Sequence, residues 1–300
     1  MKALVVLNKD EATVSFIDAQ SGNTVSKVQV DTNPHEVDVT SDGKTSYVTN
    51  SGGNTVSVID NIEQQEVERI SHPEFSFPHG VGLSKDETEL FIAATRSNRV
   101  FVIDTSSLEV TESIATHQQS THMIYMDPQK ETIYIPNIGS DNITVMDADS
   151  REIITHLPVG SGPEGAAVHP NGEYLFVANQ HDNDVFVIDL EDYSRVARGR
   201  LGDCPIRLMF SPDGKYALIP NRLSGDLSII DVSRKREIKR IRTGVWPGGT
   251  VFNTDGSTAY VANNKTNDIS VIDMEDLVEA DRFKAGIHPD GMAFAEIPTN

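Results

Sequence analysis

A phrase ending in two apolar residues and an aspartate returns seven times along the chain. It closes at Asp18, Asp60, Asp104, Asp147, Asp189, Asp231 and Asp273, with spacings of 42, 44, 43, 42, 42 and 42. A second phrase (VVLN, YVTN, FIAA, YIPN, FVAN, LIPN, YVAN) keeps the same spacings and ends at Asn8, Asn50, Ala94, Asn137, Asn179, Asn221 and Asn263. Seven copies of about 42 residues account for 294 of the 300 residues, so residues 1–300 are expected to form one domain with no linker.

Within a copy, hydrophobicity alternates with period two and never with the period of a helix. In the second copy HEVDV alternates, SDGK turns, TSYVTN alternates, SGGN turns, TVSVID follows, and QEVERI is a more polar fourth run. Four short strands in forty-odd residues is the period of a propeller blade, and seven blades close a ring without exposed inner edges. The expected fold is all-β, a seven-bladed β-propeller with four antiparallel strands per blade. The first copy lacks an innermost strand, and HPDGMAFAEIP at the C-terminus supplies one with no strands after it. Blade 1 is therefore expected to be closed by strands from both ends of the chain.

Several repeated residues need no function. The aspartate ending each third strand can accept backbone N–H groups of the following turn. Gly43, Gly172, Gly214 and Gly256 follow Asp or Asn, where a hairpin needs positive φ. His169 lies in the same hairpin and reads as surface filler, and the lone Cys204 as an inert buried thiol. One cysteine also excludes an intramolecular disulfide.

YVTNSGGNTVSVID and its variants resemble the YVTN-type seven-bladed propeller family found in surface-layer proteins and similar to the lactonase-like propellers. The resemblance spans essentially the whole chain and implies the fold. Such propellers serve as adhesion modules, cofactor-protein partners and enzymes, so function has to be argued from the site.

Sixteen residues before each end of the YVTN-like phrase stand Pro34, Pro78, Thr121, Pro163, Pro205 and Pro247, with Pro289 as the counterpart in the closing strand. The next residue is the one that varies: His35, His79, His122, Glu164, Ile206, Gly248 and Asp290. Because the first strand of each blade is innermost, these seven form a ring around one mouth of the channel. Neighbouring points on it should lie roughly 6 to 8 Å apart, close enough for inward imidazoles to share an ion at about 2 Å. His35, His79, His122 and Glu164 are thus candidate ligands of a divalent transition metal: zinc, manganese, iron or nickel.

Around the ring, His72 and His117 enter on the connections to these strands and His181 lies in a nearby loop, placed to act as proton carriers. Arg96, Arg207 and Arg222, expected on the other side of the mouth, suit a carboxylate or phosphate, with Trp246 as a stacking face. Arg207 is one residue past the ring. Asp290 either completes the cluster or caps a turn. H-E-x-x-H, G-x-S-x-G, C-x-x-C and P-loop motifs are absent, and GSGPEG leads into a strand, which excludes a phosphate cradle at a helix.

The formal charge of −20, from 45 acids against 25 bases, argues against nucleic acid and anionic membrane as partners. The five-residue apolar run in MKALVVLNKD is too short for a signal-peptide core, and no stretch approaches transmembrane length, so a soluble, cytoplasmic protein is expected.

Two functional classes follow. The first is a metal-dependent lyase or lactone hydrolase acting on a small anionic, sugar-acid-like molecule. His35, His79, His122 and Glu164 would hold the ion, Arg207 would bind the anionic group, and His117 and His72 would move protons. Propeller lyases that hold a metal on three histidines supply the analogy. The second is a non-catalytic propeller that binds a protein or ligand through its rim.

Overall fold

The computed structural model describes residues 1–298. They form seven four-stranded antiparallel sheets, and the only other regular element among them is a three-residue 3-10 turn, Ile138–Ser140. Six sheets use consecutive strands. The seventh, blade 1, runs Pro289–Glu296, Lys2–Asn8, Thr13–Asp18, Thr24–Gln29 from the channel outward. Lys2 faces Glu296 in that ladder, and the Met1 ammonium donates to Ile297 O at 2.5 Å, so the two chain ends close the ring as expected.

The apolar core lies between blades. Seven buried clusters occur, and each unites two neighbours: Phe91, Val100 and Val102 of blade 3 meet Ile124, Ile133 and Ile135 of blade 4, for example. A single sheet has two apolar faces and cannot bury either alone, so it is stable only stacked between neighbours. This accounts for the buried run in every second and third strand.

The repeated polar residues are pins. The carboxylates of Asp18, Asp60, Asp104, Asp147, Asp189, Asp231 and Asp273 each accept backbone N–H groups two or three residues on. The asparagine ending the second strand is fully buried, and its amide donates across to the third strand, as Asn50 does to Ser57 at 2.8 Å and Asn221 to Ser228 at 2.8 Å. The four hairpin glycines have φ between 71° and 76°. His169 is more than surface filler: its Nε2 meets Gly214 O of the next blade at 3.0 Å, and its ring packs edge-on to Phe210.

Candidate active site at the channel mouth

The variable residue of each blade sits where the inner ladder breaks. Pairing steps from Pro34–Asn50 to Glu36–Thr49, from Pro78–Ala94 to Gly80–Ala93, and from Pro163–Asn179 to Gly165–Ala178, leaving His35, His79 and Glu164 as the extra residue of a bulge. In blades 4 and 6 the ladder lapses between an isolated bridge at Thr121 or Pro205 and the short strands Tyr125–Met126 and Met209–Phe210. In blades 7 and 1 the gap spans Gly248–Gly249 and Asp290–Gly291. A bulge re-aims a side chain and releases it from the alternation of the strand. The ring residue is therefore free to vary without disturbing either face of the sheet.

Two further septets complete the mouth. The residue before each ring proline (or Thr121) is left-handed in every blade: Asn33, Phe77, Ser120, Gly162, Cys204, Trp246 and His288, with φ between 54° and 64°. Its carbonyl accepts the amide of the residue after the second strand, at Lys9, Ser51, Thr95, Ile138, Gln180, Arg222 and Asn264, all at 2.9 to 3.1 Å. Both septets are readable in the repeat once the ring position is known. Cys204 is thereby on the mouth, half-buried, and burial pushes its thiol up.

The three ring histidines come together. His35 and His79 meet edge to face with centroids 4.1 Å apart, and His79 stacks on His122 at 3.7 Å. Phe77 lies parallel to His79 at 6.1 Å. Burial holds the pKa of His35 and His79 well below the ordinary value, and burial with the Arg207 and Lys9 charges takes His122 down to about 3, so all three are neutral at pH 7. The Nδ1 atoms of His35 and His79 are buried without a partner among the described residues, whereas His122 Nδ1 lies 3.1 Å from the Thr95 hydroxyl. A tetrahedral ion bonded at about 2 Å to each nitrogen would space imidazole centroids about 5 Å apart. The stacked rings are tighter than that, and among the described residues no three His, Cys, Asp or Glu side chains are disposed around one point.

Beneath the histidines runs a buried charge network with two members unforeseen from the sequence. Arg207, itself left-handed at φ 53°, crosses to blade 2 and bonds Glu36 Oε1 through Nε at 3.1 Å and through Nη2, which also lies 2.7 Å from Asp290 Oδ1. Lys9 Nζ reaches Asp290 Oδ2 at 2.9 Å and His35 Nε2 at 3.2 Å. Burial raises Glu36 to about 7 against the pull of Arg207. Burial also opposes ionisation of Asp290, but Arg207 and Lys9 overcome it and hold that carboxyl far below the usual range. Asp290 joins the cluster and caps no turn. Glu164 is raised by burial; its Oε2 accepts the Arg207 amide at 2.5 Å, and its Oε1 stands 3.9 Å from His122 Nε2. The signal for Lys9 was its place just after Asn8. Glu36 differs in type from its equivalents Gly80, Gly165, Gly249 and Gly291.

Other rim residues divide. Arg222 lies over Trp246 at 4.6 Å and Lys265 over the same ring at 4.8 Å. Arg96 lies over Phe77 at 4.7 Å, which puts it on the histidine side of the mouth and not opposite, as expected from sequence. His181 packs against Gly162 of the mouth. His72 and His117 do not reach the ring, correcting their expected part in proton transfer. His72 packs on Phe75 and Phe101 in the groove between the outer parts of blades 2 and 3. His117 is exposed, beside His156 of the outermost strand Ile153–Pro158. Their connections enter at the mouth, but left-handed residues near the ring turn the chain sharply inward and leave these side chains outside. No helix among the described residues is long and apolar enough to cross a membrane.

Comparison with known proteins agrees with this architecture. A search of curated proteins by sequence finds no match. Among solved structures, hydrazine synthase of Kuenenia stuttgartiensis is 24% identical, with a TM-score of 0.81 over 89% of this chain and 90% of that one. A putative 6-phosphogluconolactonase of Bacteroides fragilis is 16% identical, with a TM-score of 0.81 over 98% of both chains. The periplasmic gluconolactonase PpgL of Pseudomonas aeruginosa is 19% identical, with a TM-score of 0.80 over 99% of both. At these identities the likeness is one of fold. The family model described as lactonase, seven-bladed β-propeller, matches residues 106–277, and that of the YNCE-like β-propeller matches residues 1–168. Each covers more than half of the sequence, and the chain belongs to the lactonase-like, YNCE-like family of seven-bladed β-propellers.

Proposed function

We propose that the protein hydrolyses a small, anionic, sugar-acid-like lactone at the histidine-bearing mouth. The observation that carries the reading is a set of mouth cations, Arg96, Arg222 and Lys265, that rest on aromatic faces and, among the described residues, on no carboxylate, in a chain of net charge −20. Cations beside Trp246 and Phe77 that no carboxylate neutralises suit a ligand with an anionic group and a sugar-like face. Family membership supports the reaction type.

The chemistry falls to Glu164 and His122. With Oε2 committed to the Arg207 amide, Oε1 is free to take a proton from water, and a carboxylate raised by burial is a stronger base than a solvated one. Hydroxide then adds to the lactone carbonyl carbon. The ring C–O bond breaks, and the departing alkoxide recovers the proton, giving the hydroxy acid. In the tautomer whose Nδ1 accepts from Thr95, His122 would carry its proton on Nε2, on the side of Glu164 and the developing charge.

The neutral histidines favour a second reading, in which a zinc, manganese, iron or nickel ion is held by His35, His79, His122 and Glu164. Neutral imidazole is the ligating form, and two orphaned Nδ1 atoms are available. At least one ring must turn out of the stack. Such an ion would polarise the carbonyl as a Lewis acid, and would equally serve a lyase.

The test is proton release from glucono-δ-lactone and 6-phosphogluconolactone by wild type and Glu164→Gln, beside elemental analysis of protein purified without chelator. Turnover lost in Glu164→Gln without bound metal supports the first reading. Near-stoichiometric metal, absent from the triple variant His35→Ala, His79→Ala, His122→Ala, supports the second. A protein that turns over neither lactone sinks the hydrolase reading and leaves a rim that binds a ligand or another protein.

A further inference from the structure

Gly248 occupies the ring position of blade 7, where every other blade carries a side chain. Its φ is not in the left-handed range, so the backbone does not require glycine there. Backbone packing does not require it either, and the one tight neighbour, Arg207 Nη1, is the end of a side chain. Gly249 shows the contrast: a Cβ there would fall 2.0 Å from Asp290 O, as one at Gly165 would strike the Arg207 backbone. A Cβ on Gly248 would meet only side chains, Arg207 Nη1 at 3.0 Å, Asp290 Oδ1 at 3.5 Å and Ile206 Cδ1 at 3.8 Å. What glycine provides at this position is access to those two polar atoms.

Both atoms have capacity to spare. Arg207 uses Nε and Nη2 on Glu36 and Asp290, and its Nη1 makes no hydrogen bond among the described residues. Asp290 Oδ1 pairs with Arg207 Nη2 at 2.7 Å and retains a lone pair. The notch thus offers one cationic donor and one anionic acceptor side by side. Asp290 would repel a bare anion, but Lys9 and Arg207 offset its charge. A carboxylate carrying a hydroxyl on the adjacent carbon satisfies both: its oxygen accepts from Nη1 and its hydroxyl donates to Oδ1.

We propose that Arg207 Nη1, Asp290 Oδ1 and the space left by Gly248 form a seat for the 2-hydroxycarboxylate of a sugar acid, and that Gly248 sets this specificity. The seat rests on the lactone reading in one respect, since opening an aldonolactone produces this group. It places the product's acid end against Arg207 and its remaining hydroxyls toward Trp246 and Arg222.

The experiment is calorimetric titration of D-gluconate and 2-deoxy-D-gluconate into wild type, Gly248→Ala and Gly248→Val, with thermal denaturation of each and lactone hydrolysis measured in parallel. A charge-assisted bond lost from a buried site corresponds to a drop in affinity of roughly tenfold or more. Gly248→Ala should weaken gluconate by about that factor and Gly248→Val abolish binding, with melting temperatures unchanged, while wild type should bind the 2-deoxy acid roughly tenfold more weakly. Equal affinity for the two acids, unaltered binding in both variants, or no gluconate binding to wild type would overturn the seat. Lactone turnover with gluconate binding indifferent to Gly248→Val removes the seat and keeps the hydrolase. Gluconate binding that depends on Gly248, without turnover, keeps the seat and removes the hydrolase.

Discussion

The two ends of the channel are built from the same seven short strands and have opposite chemistry. At the end where those strands begin, the ring residues and their neighbours bring together three imidazoles, three carboxylates and two cations. At the other end the same strands line a cavity of about 460 Å³ with Leu83, Met123, Met126, Met209, Phe210 and Met292. Glu36 and Arg207 border this cavity and also belong to the mouth network, so their ion pair is the partition between the two. Six residues of strand carry both environments because the bulge takes one residue out of the alternation. Past the bulge, alternation resumes and the core dictates residue type; at the bulge it does not.

The partition is where the comparison breaks most readily. Arg207→Ala leaves Glu36, Asp290 and Glu164 buried without their shared cation, a loss expected to cost about 3–5 kcal/mol. Urea denaturation reads it directly. A loss below about 1 kcal/mol would mean that the carboxylates are solvated through the channel and that the two ends are one continuous space. Leu83→Ala, at the apolar end, should cost about 2 kcal/mol, the low side for such a truncation because the side chain already borders open space. It should leave any lactone turnover intact, since Leu83 is separated from Glu164 and His122 by the partition. Turnover that fell with Leu83→Ala in folded protein would place the chemistry at the wrong end.

How much of this was legible in the sequence follows the same division. The spacing of Asp18 through Asp273 gave the blades, and the missing inner strand of the first copy gave the closure by Pro289–Glu296, because both are consequences of pairing and burial. The ring septet was legible too, as the place where residue type escapes the pattern. Orientation was not. Whether His35, His79 and His122 converge on a point or pack on one another depends on χ angles that no spacing encodes, and they pack, His35 edge-on to His79 and His79 stacked on His122. His72 and His117 shared a neighbourhood in sequence with the ring but not in space, since a histidine on a connection is not held by any ladder. Spacing does not tie Lys9 or Glu36 to the ring, because charge pairs across a closed channel join residues as far apart in sequence as 36 and 207.

A smaller effect separates the neutral histidines from their surroundings. His79 is 1% exposed, and burial, with His122 and His35 close by, holds its folded pKa far below 6.5. The unfolded chain therefore binds the proton first. His79 contributes stability that is full above pH 6.5 and is lost as pH falls below it. His79→Gln should lessen the loss between pH 6.5 and 5.5 by about 1 kcal/mol, measured as the difference between the two denaturation curves at each pH. An unchanged slope would mean that His79 is protonated in the fold, and with it the claim that the mouth keeps its imidazoles neutral would fail.

The smallest expected effect on stability is at the rim, and it sharpens the comparison most for function. Arg222 touches the Trp246 face and, among the described residues, no carboxylate, so Arg222→Ala should change folding stability by no more than about 0.5 kcal/mol. If the rim cations recruit an anionic lactone, the same substitution should raise KM roughly tenfold, leave kcat nearly unchanged, and flatten the dependence of kcat/KM on salt, because an interaction made equally in ground and transition states is lost from binding alone. Arg207→Ala inverts both readings, costing stability first. Both arginines belong to blade 6, yet one is engaged by two carboxylates and the other rests on the Trp246 ring. A KM that did not move in Arg222→Ala would assign the anion to the buried guanidinium and leave the rim cations as a device for solubility.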